Sequence, residues 1–229
     1  MRKYLSGRAP SLFALLAAVG GSAALHGAPV VTNGSFEDPT GTNVGVFLRL
    51  NSPSTAMTGW TVSSASIDWI GSLWQHSSGN RSLDMAGVST GGSVRQDVTG
   101  FDAGNNYDLV FDLAGNPFTN ITKTLRVNVL NGATVVSTSL FNFTQAPGTS
   151  LTNMGWITQT LSFVAPISGA LRLEFIGLNN DGSGPALDNI RLNDLGPSGG
   201  GSPVPEPATF VLAGAGIGLV ALRRGRRSA

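Results

Sequence analysis

The sequence predicts an all-β sandwich, and three observations carry that expectation. Between Val30 and Leu195 apolar and polar residues alternate with a period of two rather than 3.6. The alternating runs are short and are punctuated by Gly, Asn and Pro. No run in this stretch carries the apolar stripe of an amphipathic helix, so two sheets packed face to face, of jelly-roll type, are the expected architecture.

The clearest strands come first. Leu109, Phe111 and Leu113 face one way while Asp108, Val110 and Asp112 face the other. Leu125, Val127 and Val129 alternate with Arg126 and Asn128, and Leu171, Leu173 and Phe175 with Arg172 and Glu174. Similar runs lie near residues 47–50, 67–70, 82–86, 93–98, 134–143, 157–164 and 187–192, which makes about ten strands.

Composition agrees. Charged residues make up 12% of the 229, against about 25% in an average chain, which excludes coiled coils and charge-rich disorder. No cysteine is present, so neither disulfides nor thiolate zinc can hold the core, and a stabilising metal would need oxygen ligands. Outside the two termini, seven basic residues face twelve acidic ones, a net of −5. That balance excludes the basic face a nucleic-acid partner requires and suits a cation.

Both ends read as addresses. Residues 1–24 run from a basic start (Arg2, Lys3, Arg8) through an apolar stretch to small residues ending at Ala24, the three regions of a signal peptide that signal peptidase removes. The sandwich domain then occupies residues 25–196 and a Gly/Ser/Pro linker residues 197–203. In residues 204–229, Val204, Pro205, Glu206 and Pro207 precede fifteen apolar residues and then Arg223, Arg224, Arg226 and Arg227. As a single transmembrane helix that apolar run spans about 22 Å, short of a ~30 Å hydrocarbon core. Arginine stems extending along the lipid recover part of the difference. The positive-inside rule keeps both basic ends cytoplasmic and sends everything between them across the membrane.

This tail resembles the PEP-CTERM sorting signal of Gram-negative bacteria, in which a Val-Pro-Glu-Pro motif, a short membrane helix and an arginine cluster follow in that order. The resemblance implies processing by an exosortase-type membrane protease near Val204–Pro207, with passage from the inner membrane to the cell surface or extracellular matrix. The core carries a second likeness. VTNGSFEDP (31–39), IDWIGSLW (67–74), GNRSLDMAG (79–87), YDLVFDLAGNP (107–117) and GPALDNIRL (184–192) resemble the choice-of-anchor C family of exported bacterial domains. The core is similar, more distantly, to the galactose-binding-like sandwiches of carbohydrate-binding modules.

In such modules an N-G-x-F-E segment and a D-N-[IV] segment meet at a structural calcium. Asn33–Glu37 and Asp188–Ile190 match them here, and the resemblance implies ligands from Ser35, Glu37, Asn80 and Asp188, within calcium's six to eight oxygens. The acidic stretch Asn179–Ser183 imitates part of a calcium loop but reads as a solvated turn.

Trp60, Trp74, Tyr107 and Trp156 are the aromatic candidates for stacking on a sugar ring, Trp74 most of all because Gln75, His76 and Ser77 follow it. For each of the tryptophans core packing is the competing reading and the one that the usual burial of Trp favours. Trp69, between Ile67 and Ile70, reads as core. An enzyme finds little support. The two histidines are His26 and His76, and His76 could form a triad with Asp68 or Asp84, yet no G-x-S-x-G elbow supplies a nucleophile. The expected function is therefore a non-enzymatic exported protein associated with extracellular polysaccharide. The alternatives are a purely structural or adhesive matrix protein and an exported glycoside hydrolase.

Overall fold

The computed structural model describes residues 27–197, Ser89 excepted. The expected signal peptide and sorting tail lie outside the described residues. Eleven strands follow one another: β1 (Phe47–Asn51), β2 (Thr61–Ser64), β3 (Ser66–Ile70), β4 (Ser82–Asp84), β5 (Ser93–Phe101), β6 (Asn105–Gly115), β7 (Lys123–Asn131), β8 (Thr134–Phe143), β9 (Ile157–Val164), β10 (Gly169–Gly177) and β11 (Pro185–Pro197). Ten were legible in the sequence. The exception, β2, has the sequence TVSS and a single apolar residue, Val62, too little to show a period.

The strands form two antiparallel sheets, one ordered β1-β3-β4-β11-β6-β9 and the other β2-β5-β10-β7-β8. Register fixes the faces, because directly paired residues point the same way. In the six-stranded sheet Trp69, Leu83, Leu187 and Leu113 align across β3, β4, β11 and β6. All four are fully buried and share one core cluster with Phe175, Leu173 and Val127 of the other sheet. Phe111 meets Phe175 and Phe141 edge-on at 5.5 and 5.0 Å between ring centres, a favoured aromatic geometry.

The opposite face of the six-stranded sheet is unusual. Asp68 pairs with Asp84, and Asp188 pairs with Asp112. Asp84 stands opposite Ala186, two residues before Asp188, so all four carboxylates share that face. All four are nonetheless buried. The segment joining β3 to β4 folds back onto Asp112 and Asp188, which Ser77 and Ser78 bond, and puts the Trp74 indole N–H on Ser82 Oγ at 2.9 Å.

Candidate functional site

The first and last segments of the sandwich meet. Residues 33–36 form a turn closed by Phe36 N–H on the Asn33 carbonyl at 3.1 Å, with Asn33 and Phe36 at φ of 53° and 61°. The Asn33 side chain sustains this left-handed geometry by bonding the Asp38 and Thr58 backbone at 2.9 to 3.1 Å. The core holds the turn as well, since the indole N–H groups of Trp60 and Trp69 donate to the Asn33 and Phe36 carbonyls, each at 3.0 Å. Gly34 then lies against β11, where Ile190 N–H donates to its carbonyl at 2.9 Å. A Cβ at position 34 would collide with the Ile190 carbonyl, so only glycine fits. The two expected motifs do come together, through the backbone.

Three carboxylates pin a turn, residues 77–80, beside this junction. Glu37 Oε1 accepts from Asn80 N–H at 2.7 Å. Asp188 Oδ2 accepts from Ser77 and Ser78 N–H at 2.9 and 2.8 Å, and its Oδ1 from Asn189 N–H at 2.6 Å. Asp112 takes the Ser77 hydroxyl at 2.5 Å, the Asn189 amide at 2.9 Å and the Thr158 hydroxyl at 2.8 Å. The electrostatics diverge accordingly. Burial pushes Asp188 up to about 7 despite its three amide donors, and the Asp112 charge adds to the rise. For Asp112, burial also pushes upward, but hydrogen bonds from Ser77, Asn189 and Thr158 outweigh it and hold the carboxyl below its ordinary value.

This chemistry bears on calcium. Ionised carboxylates offer about four acceptor directions, and around Asp188 three meet N–H groups rather than vacant space. Among the described residues no group of three or more His, Cys, Asp or Glu is placed to hold a metal ion. Glu37, Asn80 and Asp188 gather on one turn, but as a hydrogen-bonded clamp; the donor set at Asp188 does not fit a calcium ion.

A cleft of about 450 Å³ opens beside the pinned turn, between Thr42–Gly45, Gly71–Ser72, His76, Asn80 and Arg81. Its floor is rigid. The Arg81 guanidinium lies 4.5 Å over the Trp69 ring and donates to the Thr42 carbonyl at 2.9 Å, a stacked and bonded arginine. His76 Nε2 lies 2.6 Å from the Gly71 carbonyl, which can only accept, so Nε2 carries the proton and Nδ1 accepts from the Ser82 hydroxyl at 3.1 Å. Burial keeps this imidazole neutral by lowering its pKa. The amides of Asn43 and Asn80 and the Ser72 hydroxyl stand exposed at the rim. None of the lining residues is a carboxylate or an aromatic.

Of the two readings of the aromatic candidates, core packing holds for three and sugar stacking needs correction. Trp60, Trp74 and Tyr107 are core residues, at 1%, 4% and 0% exposure, and present no face to a ligand. Trp60 packs on Phe36, Trp74 is bonded to Ser82, and the Tyr107 hydroxyl accepts from Asp102 N–H at 2.9 Å. Trp156 is half-buried, with its indole N–H on the Gln75 carbonyl at 2.9 Å. His76 bonds Gly71 and Ser82 rather than Asp68 or Asp84, so no triad assembles around it. The Asn179–Ser183 turn is not merely solvated, because Lys123 runs beneath it. That lysine is fully buried, with Nζ 2.6 Å from the Ser183 carbonyl and 3.8 Å from Asp181. Arg81 and Asp112 lie inside the segments 79–87 and 107–117 that carry the family likeness, but nothing there assigned them a role, and Lys123 lies in none.

Residues 29–193 match the family described as protein of unknown function, DUF642. The chain belongs to the DUF642 family. Residues 203–227 match the PEP-CTERM protein-sorting motif, which marks an exported protein recognised and processed by an exosortase. Halomucin of Haloquadratum walsbyi is 30% identical over 175 residues, 75% of this chain but 2% of halomucin, so the DUF642 chain spans a small part of that relative's length. A cyclase from Fischerella sp. in its apo form superposes with a TM-score of 0.52 at 16% identity, covering 75% of this chain and 98% of the cyclase. That likeness shows a shared sandwich fold. TmCBM61, solved with beta-1,4-galactotriose, superposes with a TM-score of 0.44 at 14% identity, over 71% of this chain and 95% of that one.

Proposed function

We propose that this DUF642 protein is a non-enzymatic polysaccharide-associated protein of the cell surface or extracellular matrix, of choice-of-anchor C type with a galactose-binding-like core. Residues 1–24 serve as its signal peptide, and an arginine-flanked transmembrane helix holds the tail until an exosortase cuts near Val204–Pro207. The observation that carries the binding reading is the cleft at Thr42–Arg81. Its floor is locked by Arg81 on Trp69 and by His76 between Gly71 and Ser82, while amides and a hydroxyl are presented at the rim. Such groups donate to and accept from sugar hydroxyls, and a rigid floor reduces the ordering cost of binding. Without an aromatic platform the contact is hydrogen-bonded and weak, which suits a polymer bound at many points.

Glycoside hydrolysis ordinarily needs two acids flanking the bond and this cleft is lined by none, so the role proposed for the cleft is binding. The test is retention on a panel of extracellular polysaccharides. Asn43→Ala with Asn80→Ala is expected to lower retention roughly tenfold, the loss of about 1.4 kcal/mol of hydrogen bonding, with the melting temperature unchanged. Equal retention by the double variant, or turnover of any glycan offered, counts against this reading.

A further inference from the structure

The sandwich has four edge strands, and they are protected unequally. Along one side, β1 is five residues long and carries Arg49, paired with Asp68 at 2.8 Å. Its neighbour there, β2, is four residues long and is already bridged by Ser54 through hydrogen bonds of 3.3 and 2.8 Å. Short length, charge and cover are the usual devices that keep an edge from pairing with another chain.

The other side lacks them. There β8 and β9 run close together at the margins of the two sheets. They are ten and eight residues long, TVVSTSLFNF and ITQTLSFV, without a charge, a proline or a glycine. Four large apolar side chains on them are exposed: Val135 (51%), Leu140 (55%), Ile157 (41%) and Val164 (44%). β8 pairs with β7 alone, and no loop among the described residues bonds its outer backbone.

We propose that two copies of this chain associate through β8, pairing it antiparallel with its own copy across a two-fold axis, so that two five-stranded sheets become one of ten strands. The partner is a second copy because antiparallel self-pairing is symmetric by construction and an uncharged strand meets no repulsion from itself. Ten residues give a seam about 33 Å long, and with sheets ~10 Å apart plus side chains each copy covers on the order of 600 Å². That is somewhat below the ~800 Å² per partner of a standard stable interface, so a dimer of micromolar affinity is expected. Thr138 and Leu140, opposite Asn128 and Arg126 of β7, lie on the outer face of the joined sheet.

The chain's lack of cysteine permits a direct test. Single cysteines at Thr138, Ser139 and Leu140 of the full chain in mild detergent are expected to give a disulfide-linked dimer at one position or more under mild oxidation. Paired residues across such a seam stand about 5 Å apart at Cβ. A cysteine at Asn51, on the opposite side, stays uncrosslinked. Sedimentation of the unmodified chain at ~100 µM shows dimer, and Thr138→Lys with Leu140→Lys shifts the dissociation constant at least tenfold toward monomer while the chain still melts in one cooperative step. The proposal is overturned by a monomeric parent chain, by equal crosslinking at Asn51, or by a dimer that survives the lysines. A monomer whose β8 amides resist hydrogen exchange overturns it too, because another segment of the chain then covers the edge.

Discussion

Asp84 and Asp188 are carboxylates that the fold holds at a cost. Burial pushes each carboxyl from an ordinary 3.8 to about 7, although Asp84 accepts from the Asn116 side chain and from Ala86 and Gly184 N–H. A carboxyl with a raised folded pKa binds more protons in the native than in the unfolded state between those two values. Its favourable contribution is thus complete near pH 4 and is lost as pH rises through 7. His76, whose pKa burial lowers, acts in the opposite sense, but it is one group against two. Asp97 is held low chiefly by its hydrogen bonds from Arg172 and Asp112 by its three donors, so their contributions disappear only as the solution becomes more acidic than about pH 4. Thermal melts are therefore expected to run several degrees higher at pH 5 than at pH 8. The difference amounts to a few kcal/mol, at ~1.4 kcal/mol for each tenfold change in a carboxylate's proton affinity. A flat profile over that range would show that neither acid is buried as described. Trp74 is the residue where local sequence misled most. Its polar neighbours suggested exposure, but the β3–β4 connection doubles back and covers the indole. Trp74→Ala should lower stability by about 3 to 5 kcal/mol in a chemical melt rather than act on ligand retention alone.

At the level of elements, alternation made most strands readable because a half-buried strand in a two-layer sandwich must show polar and apolar residues in turn. The reading stopped where elements depend on partners far away in the chain. Strand β3, SIDWI, is buried on both faces, and Asp68 on its outer face is held by Arg49 of β1 and stands beside Asp84 of β4, partners that no local pattern announces. The junction of Asn33–Glu37 with Asp188–Ile190 was visible as a motif pair, whereas the intervening turn at residues 77–80 entered only through Asn80, as an oxygen ligand. In the fold its N–H groups matter instead, since Glu37 and Asp188 accept from three of them. Asp188→Ala leaves buried amides unpaired and should cost at least ~2 kcal/mol. Because the clamp is made of hydrogen bonds, melts with excess chelator and with millimolar calcium are expected to coincide for the parent chain. A calcium-dependent rise would mean that the turn rearranges to present oxygen.

At the scale of the molecule, export and architecture constrain each other. The final strand, β11, sits between β4 and β6 in the middle of the six-stranded sheet, and its Ile190 closes on Gly34 near the start. The sheet is thus incomplete until almost the whole domain has crossed the membrane. The Val-Pro-Glu-Pro segment begins at Val204, seven peptide steps after Pro197, where β11 ends. Fully extended, those steps reach at most about 25 Å. On the proposed topology, a protease that severs the tail at this motif works within that reach of a body already hardened by its last strand. Spacer length, together with the motif's letters, then sets how bulky a catalytic head can be admitted.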